Sequence, residues 1–363
     1  MGTLESKELV GKVQTVLGPI EPKELGFTLM HEHLVSDFSC LFREPVKASD
    51  KKIAYQPVHI KNLSWIRFNP MNNLDNLRLL NKDEIINELM LFKEVGGKSV
   101  VECTPYGLGR NPSGLTQIAQ ATNINIIMGS GYYFYGRHYP FLEQRSAEEI
   151  AEKIERDIIM GVGNTKVCSG IIGEIACSWP LQEVEKKLLK AASIAQQHTG
   201  APLSIHPGAN ERAPFEIIKI LEQEGADITR TIMDHMGRTI LSDTTLLKLA
   251  KTGCYMEYDH FGRAYYVFKP YKCENDADRI WHIIKLIEKG FIDKILISRD
   301  VYKKIDLVSY GGGGYASILT SIVPKLLDYG ISQESIEKIT IDNPKRILTF
   351  NKKNGLYSPL RHI

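Results

Sequence analysis

Long apolar runs, cysteine clusters and an excess of either charge are all missing from this sequence, and each shortage removes a class of protein. Apolar stretches such as the Ile171-Ile172 pair and Ile295–Ile297 are far too short to span a bilayer, which takes about 20 consecutive apolar residues. Residues 1–7 hold no apolar segment of signal-peptide length, so the expectation is a soluble chain working in the cytoplasm. The six cysteines (Cys40, Cys103, Cys168, Cys177, Cys254 and Cys273) include no pair two residues apart. They are too sparse for a disulfide scaffold and too dispersed for a zinc knuckle, and read as reduced, small hydrophobes. Lysine and arginine number 45 against 43 acidic residues, a formal net charge of +2. A nucleic-acid partner calls for a basic stripe, and no basic run here is longer than the pair Lys51 and Lys52.

What is present is an alternation. From Phe27 onward, short apolar runs trade places with longer amphipathic stretches. Strands are expected at residues 27–30, 99–103, 124–129, 170–175, 203–206, 231–235, 254–259 and 294–298. Most are apolar or β-branched on both faces, as parallel strands between a packed interior and covering helices must be. Helices are expected between them at 82–95, 113–122, 146–160, 181–198, 214–224, 243–252, 276–289 and 315–329. Ser146 with Glu149 reads as a capping box, Pro214 suits a first helical turn, and Gly96, Gly200, Gly253 and Gly290 fall just past helix ends. Eight strands, each followed by a helix, define a (β/α)₈ TIM barrel rather than an open sheet, taken here as one domain over residues 1–363. Residues 12–20 alternate Val13, Thr15 and Leu17 ahead of Gly18-Pro19, the pattern of a short N-terminal hairpin covering the barrel bottom. Residues 38–81 are a first-loop insertion whose Tyr55, Trp65 and Phe68 make it too apolar for disorder, so it is expected to pack as a lid over one end.

The chemistry starts at His31-Glu32-His33. Residues two apart on a strand point to the same side, so both imidazoles are expected in the barrel mouth. A His-x-His pair alone is weak evidence, since two polar residues often end a strand. Context accumulates, however. His206 and His235 end two further strands, Asp300 follows a third, and Glu174 lies near the end of a fourth. This is the face on which barrel enzymes place their sites. Imidazole and carboxylate suit Zn²⁺, Mn²⁺ or Co²⁺, and six such ligands are too many for one four-coordinate ion with an open position. They suit two divalent ions per chain, roughly 3.5–4 Å apart, with Glu174 as the bridging carboxylate.

These residues, with Gly11-Lys12-Val13-Gln14-Thr15-Val16-Leu17-Gly18, the stretch from Cys168 to Trp179, His206-Pro207-Gly208 and Arg212-Ala213-Pro214-Phe215, carry a resemblance. The chain resembles the phosphotriesterase family of the amidohydrolase superfamily, from about Gly11 to Phe350. The separations Glu174 to His206 (32) and His206 to His235 (29) fit that family. The founding enzymes and related lactonases bridge their metals with a carboxylated lysine; this chain has Glu174 there, as the phosphotriesterase-related branch does, while Lys166 lies upstream of the strand and reads as solvated. The resemblance implies a binuclear metallohydrolase, a hydroxide nucleophile and Asp300 as proton shuttle. It further implies cleavage of a small N-acyl amino sulfonate, N-acetyltaurine, to acetate and taurine. Lactone or phosphate-ester hydrolysis is the runner-up, and a catalytically inert binding barrel the third reading. A homodimer formed through the top loops is a further expectation from the family.

An anionic substrate wants a guanidinium near the mouth. Arg212, Arg238 and Arg137 stand in three loops on that face, although arginines are mostly solvated. Tyr133 matches the position where similar lactonases set a tyrosine beside the metals, and His260 stands where their pattern has arginine. Residues 311–314, four glycines, read as a flexible turn or a loop able to close over the site.

Overall fold

The structure is a computed structural model, and it describes residues 9–133, 140–263 and 274–351. It opens with the expected hairpin: β1 (Val13–Thr15) pairs antiparallel with β2 (Gly18–Ile20), Val13 opposite Ile20. After β3 (Thr28–Glu32), β4 (Ser36–Asp37) pairs antiparallel with β5 (Arg78–Leu79) and so ties together the two ends of the insertion. Then come β6 (Ser99–Glu102), β7 (Asn125–Ser130), β8 (Ile171–Ala176), β9 (Leu203–His206), β10 (Thr231–Met233), β11 (Tyr255–Tyr258) and β12 (Ile295–Ile297). From β3 through β6 to β12 the strands pair in parallel in sequence order, a nearly closed eight-stranded barrel. The seam between β12 and β3 is closed just past the strand ends. There the Asp300 N–H donates to the His31 carbonyl (3.0 Å) and the His33 N–H to the Val301 carbonyl (3.1 Å).

Each β/α unit has its helix: Lys82–Glu94, Pro112–Thr122, Ala147–Ile159, Glu183–Thr199, Ala213–Gln223, Asp243–Ala250 and Asp276–Glu288 lie within a few residues of expectation. Local chemistry sets their ends. Ser146 and Glu149 exchange reciprocal bonds, with the Glu149 N–H on Ser146 Oγ and the Ser146 N–H on Glu149 Oε2. Gly96, Gly200, Gly253 and Gly290 all take positive φ past helix ends. The last unit departs from expectation. Instead of one helix over residues 315–329, a wider π turn at Ile318–Ile322 runs into a helix at Val323–Asp328. Pro324 has no N–H to return to the Thr320 carbonyl, so the regular ladder cannot pass through it.

The barrel bottom is a dry plug. Val13 from the hairpin packs with Met30, Val101, Ile127, Ile171, Ile232, Tyr255 and Leu296 from the strands, and with Ile347 and Leu348 from the closing helix Asn343–Leu348. Burying each such side chain is worth about 1.5–3 kcal/mol. Farther up, side chains give way to close backbone contact. A Cβ on Gly129 would stand 2.1 Å from the Gly173 carbonyl oxygen, and one on Gly173 (φ +131°) 2.4 Å from the Ser204 oxygen. This approach of β7, β8 and β9 carries Glu174 into the barrel axis.

The insertion folds into helices Ala48–Ala54 and Ile60–Phe68, held by Asn73, whose side chain donates to the Ile53 and Gln56 carbonyls at 2.8 and 2.9 Å. Phe38, Met71 and Leu77 pack with Tyr133, Ala176 and Tyr302 above the strand ends, so it sits over the catalytic face of such barrels. Residues 311–314 are no free loop, because the Gly312 and Gly314 N–H groups are pinned to the Leu307 and Asp306 carbonyls at 2.8 Å. Among the described residues no disulfide joins two cysteines, and Cys273 lies outside them. Among the described residues no helix is long and apolar enough to cross a membrane.

Replacing Gly129 by alanine should lower stability by about 2 kcal/mol or more, since the obstructing atom is backbone and cannot rotate away. The expected outcome in a thermal melt is a lower midpoint than for Gly163→Ala, which bears only the strain of its positive φ (+60°) and whose Cβ meets nothing within 4 Å.

Candidate metal centre

The six residues expected as ligands converge at the C-terminal ends of their strands. Glu174 is their hub: its Oε2 lies 2.8 Å from His206 Nδ1 and 3.6 Å from both His31 Nε2 and His235 Nε2. Its Oε1 lies 3.5 Å from His33 Nε2. Asp300 Oδ1 closes the far side, 3.3 Å from His33 Nε2 and 3.9 Å from His31 Nε2. Two triads result, His31–His33–Asp300 and Glu174–His206–His235, each with donor atoms within 4.8 Å of one another. One carboxylate reaches both.

Backbone geometry aims these groups at some cost. β3 slips register against β6 between Leu29 and Glu32, and His31 and His33 end up with ring centroids 5.6 Å apart. His235 (φ 59°) and Asp300 (φ 53°) both take the left-handed conformation immediately after their strands. Such residues store roughly 1–3 kcal/mol of strain each and cluster at functional sites. Glu32, between the two histidines, points away and accepts from Ser298 Oγ (2.7 Å), Arg299 N (2.9 Å) and Val301 N (2.8 Å). It thereby builds the turn that carries Asp300. Behind the imidazoles, His33 Nδ1 meets Thr104 Oγ1 (2.9 Å), itself bonded to Glu102, and His235 Nδ1 meets Asp259 Oδ1 (2.9 Å). Carboxylates and hydroxyls in this position fix ring orientation and tautomer in metal sites.

Burial, followed by the nearby carboxylates of Asp300, Asp234 and Asp259, pushes the Glu174 carboxyl well above its usual range. Burial also drives His206 and His235 well below the ordinary imidazole value, which leaves both rings neutral. For Asp300 burial acts upward but is outweighed by the Arg263 guanidinium and bonds from His260 and His33, so this carboxyl stays well below normal. Neutral imidazoles and an ionised Asp300 are the protonation states a divalent ion requires, while Glu174 would give up its proton to bind one. The fit is supported by an orphan: His31 is fully buried, yet neither ring nitrogen has a hydrogen-bond partner. No cysteine sulfur joins the two triads, and a nitrogen-and-oxygen donor set suits borderline divalent ions.

Of the residues expected to touch substrate, three line the cavity of about 250 Å³ above this centre. Tyr133 is buried with its ring edge-on to His206 (5.6 Å). Arg238 Nη2 lies 2.8 Å from His206 Nε2 and donates to the Pro207 carbonyl (3.1 Å). His260 stacks on His235 with ring centroids 4.8 Å apart and sets Nε2 3.3 Å from Asp300 Oδ2. Arg212 does not join them. It is exposed, one residue ahead of the helix Ala213–Gln223, and lines a separate surface depression with Phe215 and Lys248. Its backbone N–H is taken by Asn210 Oδ1 (2.9 Å), a tight turn that leaves the loop on the outer rim. Arg137 lies outside the described residues. Sequence reasoning missed Arg263, which lines the cavity and holds Asp300 through Nη1 on Oδ2 (2.9 Å) and a bond to its carbonyl. Its only trace in the sequence is a position four residues after Asp259. Phe38, Leu41 and Met71 of the insertion, with Trp179 and Tyr302, complete apolar walls.

Comparison with known proteins agrees with this geometry. The profile of the phosphotriesterase family matches residues 11–348. A Xenopus tropicalis protein named N-acetyltaurine hydrolase is 45% identical over 346 residues, 94% of this chain and 99% of its own length. The Homo sapiens protein of the same name is 43% identical over the same shares of the two chains. Among solved structures, a resiniferatoxin-binding protein from Rhodobacter sphaeroides superposes with a TM-score of 0.90 at 34% identity, covering 93% of this chain and 95% of that one.

Since a bound ion must displace the proton that burial favours on Glu174, metal retention should weaken as pH falls. Samples dialysed at pH 8 and pH 5.5 and then assayed for zinc are expected to show clear loss at the lower pH.

Proposed function

Because the chain belongs to the phosphotriesterase family, we propose that it is a binuclear metal-dependent amidohydrolase that splits N-acetyltaurine into acetate and taurine. The observation that carries this reading is the convergence of four imidazoles and two carboxylates beneath a small cavity with apolar walls and two guanidiniums. The relatives named for that activity are alike over nearly their whole length, which supports the choice of substrate. His31, His33 and Asp300 would hold one ion, His206 and His235 the other, and Glu174 both. Two divalent ions bound there, zinc or else manganese or cobalt, would lower the pKa of a bound water and would polarise a carbonyl.

The protein's own groups do the rest. Asp300 Oδ2 faces His260 Nε2 at 3.3 Å, so a proton taken from the attacking water at Asp300 has a second station on the imidazole. The same pair returns it to the amide nitrogen, which needs a proton to leave as the amine of taurine. Arg263 keeps Asp300 oriented through two contacts. Arg238, beside His206, is the cation we assign to the sulfonate, where a charge-assisted bond fixes the head group. Phe38, Leu41 and Met71 keep bulk water from the acyl end. The cavity lies below the usual range of about 300–1,000 Å³ for ligand pockets, in keeping with a small substrate. We further place the enzyme in the cytoplasm, where its scattered cysteines would stay reduced. We also infer that it pairs with a second copy, supported by the exposed Val46 and Ile60 of the insertion. Sedimentation at micromolar concentration showing only monomer contradicts the pairing.

Asp300→Asn should cut kcat by about 10²–10⁴-fold while the remaining ligands retain most of the metal. His206→Ala should lose metal and turnover together. Arg238→Ala should raise KM for N-acetyltaurine by about 10–100-fold, the worth of one charge-assisted bond, with a smaller effect on kcat. A substrate panel of N-acetyltaurine, a lactone and a phosphotriester tests the reaction itself. Turnover of the lactone or triester alone would exclude the amidase.

A further inference from the structure

One level below the metal centre lies a second set of donors that the mechanism does not use. Asp234 follows β10, Glu257 sits within β11 and Asp259 follows it, and all three are fully buried. With His31 Nδ1, one oxygen from each lies within 4.8 Å of the others. Among the described residues, no lysine or arginine forms an ion pair with any of the three. The internal bonds they do have are few. Asp234 Oδ2 accepts from Ser204 Oγ (2.7 Å), and Asp259 accepts from the His235 backbone N–H (3.0 Å) and faces its Nδ1. Both Glu257 oxygens, the second Asp234 oxygen and His31 Nδ1 have no hydrogen-bond partner. Three buried carboxylates with so few donors are among the most costly arrangements a protein interior can hold, unless something positive lies between them.

The imidazole of His31 divides this chamber from the centre above. Its Nε2 edge faces Glu174 (3.6 Å) and Asp300 (3.9 Å), and its Nδ1 edge faces Asp234 (3.6 Å) and Asp259 (3.7 Å). The lower distances are too long for direct hydrogen bonds, and spacing of this kind leaves room for a bound species. We propose that Asp234, Glu257 and Asp259 hold a third cation, a hard divalent ion such as Mg²⁺ or Mn²⁺, beneath the metal centre and distinct from it. Carboxylate oxygens select such ions over thiophilic ones, and donor atoms bonded at about 2.0–2.6 Å to one ion lie within about 5 Å of each other. Bound there, the ion offsets the carboxylates' mutual repulsion and sets the floor on which His31 rests.

The test uses the full chain, saturated with Mn²⁺, desalted and assayed for manganese by mass spectrometry. Three ions per chain are expected, and two in Glu257→Gln. Crystals of the Mn²⁺-loaded wild type should show an anomalous-difference peak between the three carboxylates. That measurement, with Asp234→Asn as a second variant, stands even if Glu257→Gln does not fold. Two ions in the wild type with no peak in the chamber would overturn the third site while leaving the proposed metal centre intact; the carboxylates would then be neutralised by protons. A single ion located in the chamber would support this site and sink the binuclear centre above it.

Discussion

One buried carboxylate organises the upper half of this barrel. Glu174 stands within 3.6 Å of four imidazoles contributed by three other strands, with Oε2 facing three of them and Oε1 the fourth. A carboxylate in that position is intolerable in a dry interior on its own account, as the upward push of burial on its carboxyl shows. The same property makes it a strong ligand for cations. The site thus carries in its protonation energetics the demand that the proposed ions would satisfy.

Much of the remaining fold serves to place that group and its partners. The dry lower plug, from Val13 to Leu348, fixes the strands from below, while Gly129 and Gly173 let three of them close up where Glu174 enters. Across the barrel, Glu32 ties Ser298, Arg299 and Val301 together and so builds the turn that presents Asp300. The seam between β12 and β3 is closed by the backbone of His31 and Asp300 themselves. The bonds that close the barrel therefore also hold His31 and Asp300 side by side, and the left-handed strain at His235 and Asp300 is held by this framework.

The barrel was legible because its signals are periodic or local. Two-sided apolar strands, capping pairs and glycines past helix ends each have one-dimensional signatures, and the six ligand-type residues were readable because they punctuate strand ends. The phosphotriesterase resemblance named the same six. What escaped has no such signature. Arg263 takes its meaning only from Asp300, 37 positions away, and Glu257 from neighbours on other strands. Arg212 was misplaced because a loop near the mouth can turn outward through one bond to Asn210. The last helix was drawn through Pro324, where the missing N–H widens the turn.

The proposed activity is amide hydrolysis that depends on metal held by this cluster. Its most direct test is release of taurine from N-acetyltaurine by one preparation as purified, after stripping with chelator, and after zinc is restored. Turnover, its loss on stripping and its return with the metal are expected. Turnover that persists undiminished in the stripped protein would contradict that dependence.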